Sequence, residues 1–339
     1  MSDPDRRRRR RLSIGLALIT LLLGVAGLAA GSEGWSVVRL AQTWSGPDGA
    51  LIVGQIRAPR TLGAWLTGAL LGLAGATAQG LFRNPLADPY LIGSASGASL
   101  GVVGVLAASA LSGHALSLAT ADTIMRIGLV GAAFAGALFG VLLTLTLARG
   151  AQQTTRLLLA GVVVGVVLAA LSDLATTAAP DALRGKQAFL LGSTGFLGWS
   201  SCIALAIGLA LTLPPSWRLA RTLDALTLGV DSARSLGLAL PRIRLALVAA
   251  LALATGLAVS QAGLIAFVGL VAPHLVRRFA PATHGFTLVA SAATGGTLLL
   301  MADVLARTLI APQEVPVGVL TALLGGGYLI WLLHRRRAS

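Results

Sequence analysis

Cysteine, lysine, histidine and acidic residues are all scarce in this sequence. A single cysteine, Cys202, excludes a disulfide framework, and one Cys with four His leaves no cluster at metal-ligand spacing. The only lysine, Lys186, follows Gly185 and invites comparison with a phosphate-binding loop. Such a loop needs a glycine five residues before its last glycine and Ser or Thr after the lysine. Those positions hold Pro180 and Gln187, so ATP is not bound by that route. Charged residues make up 11% of the 339 positions, where soluble domains carry about 25%, and mean hydropathy is +0.84. An ordinary soluble enzyme is excluded.

Long apolar runs fill the space. A helix crosses the hydrocarbon with about 20 apolar residues. Ten such segments are expected, at 12–31, 61–81, 91–111, 127–148, 157–179, 197–213, 243–262, 263–276, 285–310 and 316–333. The sixth and eighth are the shortest of them. The connections are too short for a separate soluble domain, so residues 1–339 read as one all-α, polytopic transmembrane domain. A net charge of +14 on a soluble chain would suggest nucleic acid. Here the basic residues punctuate apolar runs, which points to a membrane and away from nucleic acid.

Their placement sets an orientation, because loops on the cytoplasmic side retain Lys and Arg. With both chain ends inside, nineteen of the 26 basic residues are cytoplasmic: Arg6 to Arg11, Arg83, Arg149, Arg156, Arg218, Arg221, Arg234, Arg242, Arg244, Arg277, Arg278 and Arg335 to Arg337. The remaining seven, Arg39, Arg57, Arg60, Arg126, Arg184, Lys186 and Arg307, are outside. Residues 1–11 form a basic cytoplasmic tail. The run from Leu12 to Ala30 exceeds the roughly 7–15 residues of a signal-peptide core, so it is expected to be a retained first span.

Glycine is abundant, with 42 residues, and recurs in spans as at Gly68, Gly72, Gly75 and Gly80. In lipid such stripes let helix backbones approach, so they are read as packing surfaces and not as chemistry. The basic stretch from Leu213 to Arg244 reads as two short helices broken at Gly229 or Gly237, with Asp231 as an N-cap. It is suited either to a partner's cleft or to anionic lipid headgroups. Arg57, Arg60 and Arg307 stand on the face where positive charge is disfavoured. Docking of an acidic partner would explain them, since Arg pairs carboxylates bidentately. For Arg307 an i, i+4 pair with Asp303 is the local alternative.

The two prolines of Asn84-Pro85-Leu86-Ala87-Asp88-Pro89 break the chain after the second span. A polar loop, Gln152-Gln153-Thr154-Thr155, joins the fourth and fifth spans. Asp173, Asp303, Gln79 and Gln261 are the polar side chains inside spans, too few for a clear proton relay. His274, after Pro273, reads as a helix-end residue. Pro59-Arg60 with Gln79 and Pro241-Arg242 with Gln261 share one spacing and would be related by an inverted repeat.

Three long stretches in order resemble the FecCD-type permeases of ABC importers for ferric siderophores, haem and cobalamin. They are RAPRTLGAWLTGALLGLAGATAQGLFRNPLADPYLIGSASGAS from Arg57 to Ser99, GLIAFVGLVAPHLVRR from Gly263 to Arg278, and ADVLARTLIAPQEVPVGVLTALLGGGYLIWLL from Ala302 to Leu333. The resemblance covers nearly everything after the first span. It implies a ten-helix subunit of a type II ABC importer in the bacterial inner membrane, forming a homodimer with the path at the interface. Two cytoplasmic ATPase subunits and a periplasmic substrate-binding protein would complete the importer, and the permease would carry no catalytic residue, metal or cofactor.

By the same resemblance Arg57, Arg60 and Arg307 would bind glutamates of the binding protein. Asn84, Leu86, Thr154 and Thr155 would form cytoplasmic constrictions. Leu228, Gly229, Asp231, Ser232, Arg234, Leu236 and Gly237, within a coupling loop at 214–242, would seat on the ATPase. The expected cargo is a bulky metal chelate, haem or a ferric siderophore, with cobalamin as the alternative. An ion-coupled secondary transporter is the rival from another class, and an intramembrane enzyme lacks a paired acid or nucleophile set.

Overall fold

The computed structural model describes residues 3–31, 34–35, 49–111, 123–151 and 153–337. Arg39 and Gln152 lie outside the described residues. Helix α1 (Asp3–Ala29) leads into a two-residue antiparallel ladder, β1 (Ala30–Gly31) with β2 (Gly34–Trp35). The chain continues through α2 (Ala58–Phe82), α3 (Ser94–Leu111), α4 (Thr123–Leu147), α5 (Thr154–Ala178), α6 (Ala182–Leu191) and α7 (Trp199–Arg218). Two short helices, α8 (Ala220–Thr227) and α9 (Val230–Ser235), precede α10 (Leu240–Ala262), α11 (Val268–Phe279), α12 (His284–Thr308) and α13 (Val317–Arg337).

Local chemistry sets several boundaries. A π turn, Ile52–Arg57, feeds α2, whose first turn takes Pro59 because no intrahelical donor is needed there. Arg83 closes α2 in a left-handed conformation, φ 51°, its N–H returning to the carbonyls of Gln79 and Gly80. Pro85 and Pro89 then prevent continuation. The Asp88 carboxylate accepts from the Tyr90 N–H at 2.8 Å and starts a 3-10 turn, Pro89–Ile92.

Among the described residues seven helical stretches are long and apolar enough to cross a membrane: Pro4–Ala29, Ile52–Phe82, Ile127–Leu147, Thr154–Ala178, Trp199–Arg218, Leu240–Ala262 and His284–Thr308. Two shorter apolar helices, Ser94–Ala110 and Val317–Leu332, match two more expected segments. The segment expected at 263–276 differs. Its helix, α11, has 12 residues, about 18 Å of rise against about 30 Å of hydrocarbon. Residues before it run as non-helical backbone, with Gly263 and Phe267 at positive φ.

That backbone is tolerated because protein covers it and satisfies its polar groups. Leu264 N–H donates to Phe189 O at 2.9 Å, Ala262 O accepts from Ser193 N–H at 2.8 Å, and Ile265 O accepts from the Tyr90 hydroxyl at 3.3 Å. Two further boundaries move. α7 continues through Pro214 and Pro215 to Arg218, five residues beyond the expected end at 213, and α9 is capped by Gly229 at φ 111°, with Asp231 inside its first turn making no cap bond. The Arg run expected as a tail is already helical from Asp3.

At the centre, α2 is buried along almost its whole length and lies against α12 at backbone distance. A Cβ at Gly68 would stand 2.3 Å from Gly295 O, and one at Gly72 would stand 2.1 Å from Ser291 O. Gly75 meets Gly269 O of α11 in the same way. The glycine stripe is thus a packing surface, as expected. By contrast α5 buries only a stripe, Leu157, Gly161, Val164, Leu168, Ser172 and Thr176, and its Leu159, Val162, Val166 and Leu174 are exposed.

Gly72→Leu is expected to force α2 and α12 apart and cost about 1–3 kcal/mol or more, seen as a lower thermal midpoint in detergent. Gly104→Ala, where a Cβ meets nothing within 4 Å, should leave the midpoint unchanged.

Candidate functional site

α2 and α12 run antiparallel, so one end of the pair carries Arg60 and Arg307 and the other carries Arg83 and His284. At the first end a buried cluster of charge joins three segments. Asp303, 0% exposed, lies between two guanidinium groups: Arg60 Nε donates to Oδ1 at 3.0 Å, and Arg307 Nη2 donates to Oδ2 one helical turn away. The Thr194 hydroxyl adds a third bond to the carboxylate, donating to Oδ1 at 2.6 Å. Arg60 turns the rest of its fork to Glu314, Nη1 to Oε1 at 2.7 Å and Nη2 to Oε2 at 2.8 Å.

The cluster also closes the end of α1, whose last carbonyls lack intrahelical donors. Arg307 Nη1 donates to Gly27 O and Arg57 Nη1 to Leu28 O, both at 3.0 Å. Cations at a helix C-terminus also meet the negative end of its dipole. Among the described residues three guanidinium groups here face two carboxylates. Arg60 and Arg307 are 9% and 4% exposed, whereas Arg57 is half-buried and among the described residues has no carboxylate partner.

The three expected docking arginines are therefore brought together. Two of them are already engaged by acids of the same chain. The local Asp303 pair considered for Arg307 is formed, and Arg307 is buried and not at a rim. Glu314 and Thr194 were not anticipated. Glu314 lies eleven residues after Asp303 beyond a turn, and an acid so close to a basic patch is the signal that could have pointed to it.

At the opposite end, the Leu86 N–H donates to Asn84 Oδ1 at 3.0 Å, pinning an exposed turn with the Leu86 side chain outward. Burial pushes the Asp88 carboxyl above its ordinary range, partly offset by the Tyr90 N–H. Thr154 and Thr155 begin α5, half-buried and exposed respectively. α5 packs on the 3-10 turn, with Gly161 against Leu91 O, so Asn84, Leu86, Thr154 and Thr155 all sit at this end. Among the described residues no hydrogen bond joins them directly.

Leu228 and Leu236 flank α9 and are 73% and 65% exposed, while Gly237 has φ 73° and ends the short-helix pair. Asp231 and Arg234 pair at 3.2 Å, Ser232 is exposed, and Gly229 breaks the chain between α8 and α9 as the sequence suggested. Elsewhere, Lys186 of α6 pairs with Asp173 of α5, and Gln79 bonds Leu270 O at 3.2 Å and Arg277. His274 makes an edge contact with the Tyr328 ring, 5.7 Å between centroids. Among the described residues no group of three or more His, Cys, Asp and Glu could hold a metal ion.

The buried charge cluster can hold segments together. Comparison with known proteins agrees in scale. Residues 16–335 match the model of the FecCD transport family. The vitamin B12 import system permease proteins BtuC of Salmonella paratyphi A and Salmonella typhi are each 39% identical over 332 residues, covering 97% of this chain and 96% of theirs. The solved structure reported as "An inward-facing conformation of a putative metal-chelate type ABC transporter" superposes with a TM-score of 0.82 at 26% identity, covering 96% of this chain and 99% of that one.

Asp303→Ala should leave the buried Arg307 guanidinium without a carboxylate and Arg60 with Glu314 alone, and cost about 3–5 kcal/mol. Glu314→Gln, on a side chain 48% exposed, should cost under about 1 kcal/mol. Thermal unfolding of the two variants checks the ranking, and equal losses would contradict it.

Proposed function

This chain belongs to the FecCD transport family, the permeases of ABC importers, and on that premise we propose that it works as one half of a homodimer moving a bulky metal chelate inward through the bacterial inner membrane. The observation that carries the reading is the match along the whole chain, 97% of its length at 39% identity. The apolar faces that α5 and α7 leave exposed in one copy support a second copy, and lipid beyond it, as their cover. The path would run between the copies. The domain is the whole of 1–339, with the arginine-rich end in the cytoplasm and both termini there.

ATP hydrolysis belongs to two separate ATPase subunits. The loop at 214–242 meets them, and the exposed Leu228 and Leu236 with Gly229, Asp231, Ser232, Arg234 and Gly237 supply the contact surface. Apolar side chains of that size held out on short helices support insertion into a partner's cleft. On the other side a periplasmic binding protein docks through acidic groups. Arg57 meets it first, since Arg60 and Arg307 are engaged with Glu314 and Asp303. Asn84, Leu86, Thr154 and Thr155 narrow the inner end of the path without holding cargo tightly.

Import then needs different energies for outward-open and inward-open arrangements, supplied by the ATPase and by docking. For cargo, the 39% identical vitamin B12 permeases support a corrinoid ahead of haem or a ferric siderophore, reversing the order expected from the sequence. An ion-coupled transporter is less well supported, because Asp303 is fully engaged with Arg60, Arg307 and Thr194 and is not open to a coupling ion.

Proteoliposomes holding the permease, its ATPase and its loaded binding protein test the reading. Uptake of cobalamin that requires ATP and both partners is expected. Uptake that persists without the ATPase would overturn it, and selective uptake of haem or a ferric siderophore would overturn the cargo alone. Arg57→Glu, with Arg60 left in place, should weaken capture of the binding protein about tenfold at low salt and flatten its salt dependence. Unchanged affinity at every salt concentration would remove Arg57 from the docking surface.

A further inference from the structure

The segment between α7 and α10 is tied to α12 by one carboxylate. Asp224 Oδ1, on α8, accepts from the backbone N–H of His284 at 2.9 Å and lies 2.7 Å from His284 Nδ1. His284 is the first residue of α12, and its N-cap, Thr283, makes no side-chain cap bond. The first turn of a helix carries unsatisfied N–H groups and the positive end of the dipole. Asp224 meets that need from a different element. With the ring proton on Nδ1, the same oxygen receives a second bond.

The junction is closely packed on the side facing α2. The His284 ring lies over Gly80, where a Cβ would stand 3.0 Å from Cδ2 and 3.1 Å from Nε2, and 3.2 Å from Leu223 of α8. Leu223 and Leu226 are 0% and 1% exposed and seat α8 on the bundle. The last turn of α2, the first turn of α12 and α8 thus meet at one point. Leu228 and Leu236, the residues that end α8 and α9, are exposed on the same short-helix pair. From His284, α12 runs unbroken to Asp303 and Arg307 at the other end of the molecule.

We propose that the Asp224–His284 contact is the link through which movement of the α8–α9 segment reaches α12. Both are positioning residues for coupling, with no contact to cargo or nucleotide. This rests on the reading of the loop as the ATPase contact. A push on Leu228 and Leu236 displaces α8, and Asp224 passes it to the start of α12 because its bonds fix both the backbone and the ring there. Without the carboxylate, only the apolar packing of α8 on the bundle is left to carry that movement.

The test uses the complete importer in proteoliposomes and reads three quantities: ATPase association, ATP hydrolysis, and cobalamin taken up per ATP hydrolysed. Asp224→Ala should leave association intact and lower uptake per ATP about tenfold, within the range of coupling energies between sites. Asp224→Asn, whose amide oxygen still accepts from the His284 N–H, should recover part of the ratio. Gly80→Ala, which displaces the His284 ring without removing charge, should lower it too, and these two variants decide the matter if Asp224→Ala does not fold. Wild-type uptake per ATP in both Asp224→Ala and Gly80→Ala, or in Gly80→Ala alone where the other is lost, would overturn the proposal. Leu228→Ala with Leu236→Ala tests the underlying reading separately: ATPase association should fall, and association at wild-type strength would overturn the loop assignment itself.

Discussion

The backbone contact between α2 and α12 is the constraint on which the other features depend. Lipid tails offer no hydrophobic gain for bringing two apolar helices together, so association must come from close packing and from polar groups joined across the interface. Gly68, Gly72 and Gly295 remove the side chains that would separate the axes, and the carbonyls of Gly295 and Ser291 fill the space. At Gly75 the same approach brings in α11 through Gly269. Helices this close share one geometry, and the polar groups at either end of the pair are positioned by it.

That positioning makes the buried charge tolerable. A carboxylate at zero exposure is costly unless charge and hydrogen bonds around it are complete. Asp303 has Arg60, Arg307 and Thr194, and Arg60 finds the rest of its partners in Glu314. Each of these residues sits on a different segment or a different turn, and the set closes only when α2 and α12 are in register. At the other end, Asp224 and His284 close a smaller junction against Gly80 of the same pair. One helix pair therefore carries a polar junction at each end.

Much of this was legible in the sequence. Apolar runs between arginines located nine helices, and the glycines of α2 announced a packing surface because small residues at such spacing have few other uses in a span. Gly229 and Gly237 marked the loop, since their positive φ suits glycine above other residues. The start of the stretch at 263–276 misled because a five-residue non-helical lead-in through Leu264 and Ile265 has the same apolar composition as a helix, and only Gly263 and Phe267, at positive φ, depart from it. The fates of Arg60 and of Asp224 were illegible for another reason. Their partners lie 254 and 60 residues away, Glu314 and His284, and no local pattern announces a pairing at that distance. The roles given to the exposed Leu228 and the half-buried Arg57 came from resemblance, whereas their degree of exposure came from the fold.

The scarcity of cysteine makes the central claim accessible to measurement, because Cys202 is buried and labels can be directed elsewhere. Leu62 on α2 and Val289 on α12 are 41% and 45% exposed and lie toward opposite ends of the pair. Spin labels at Leu62→Cys and Val289→Cys, compared by pulsed dipolar spectroscopy in the nucleotide-free and ATP-bound importer, report whether α2 and α12 move together. One unchanged distance in both states is the predicted result. A change on the order of 5 Å, one helical turn, would mean that the helices slide past each other and would contradict the account.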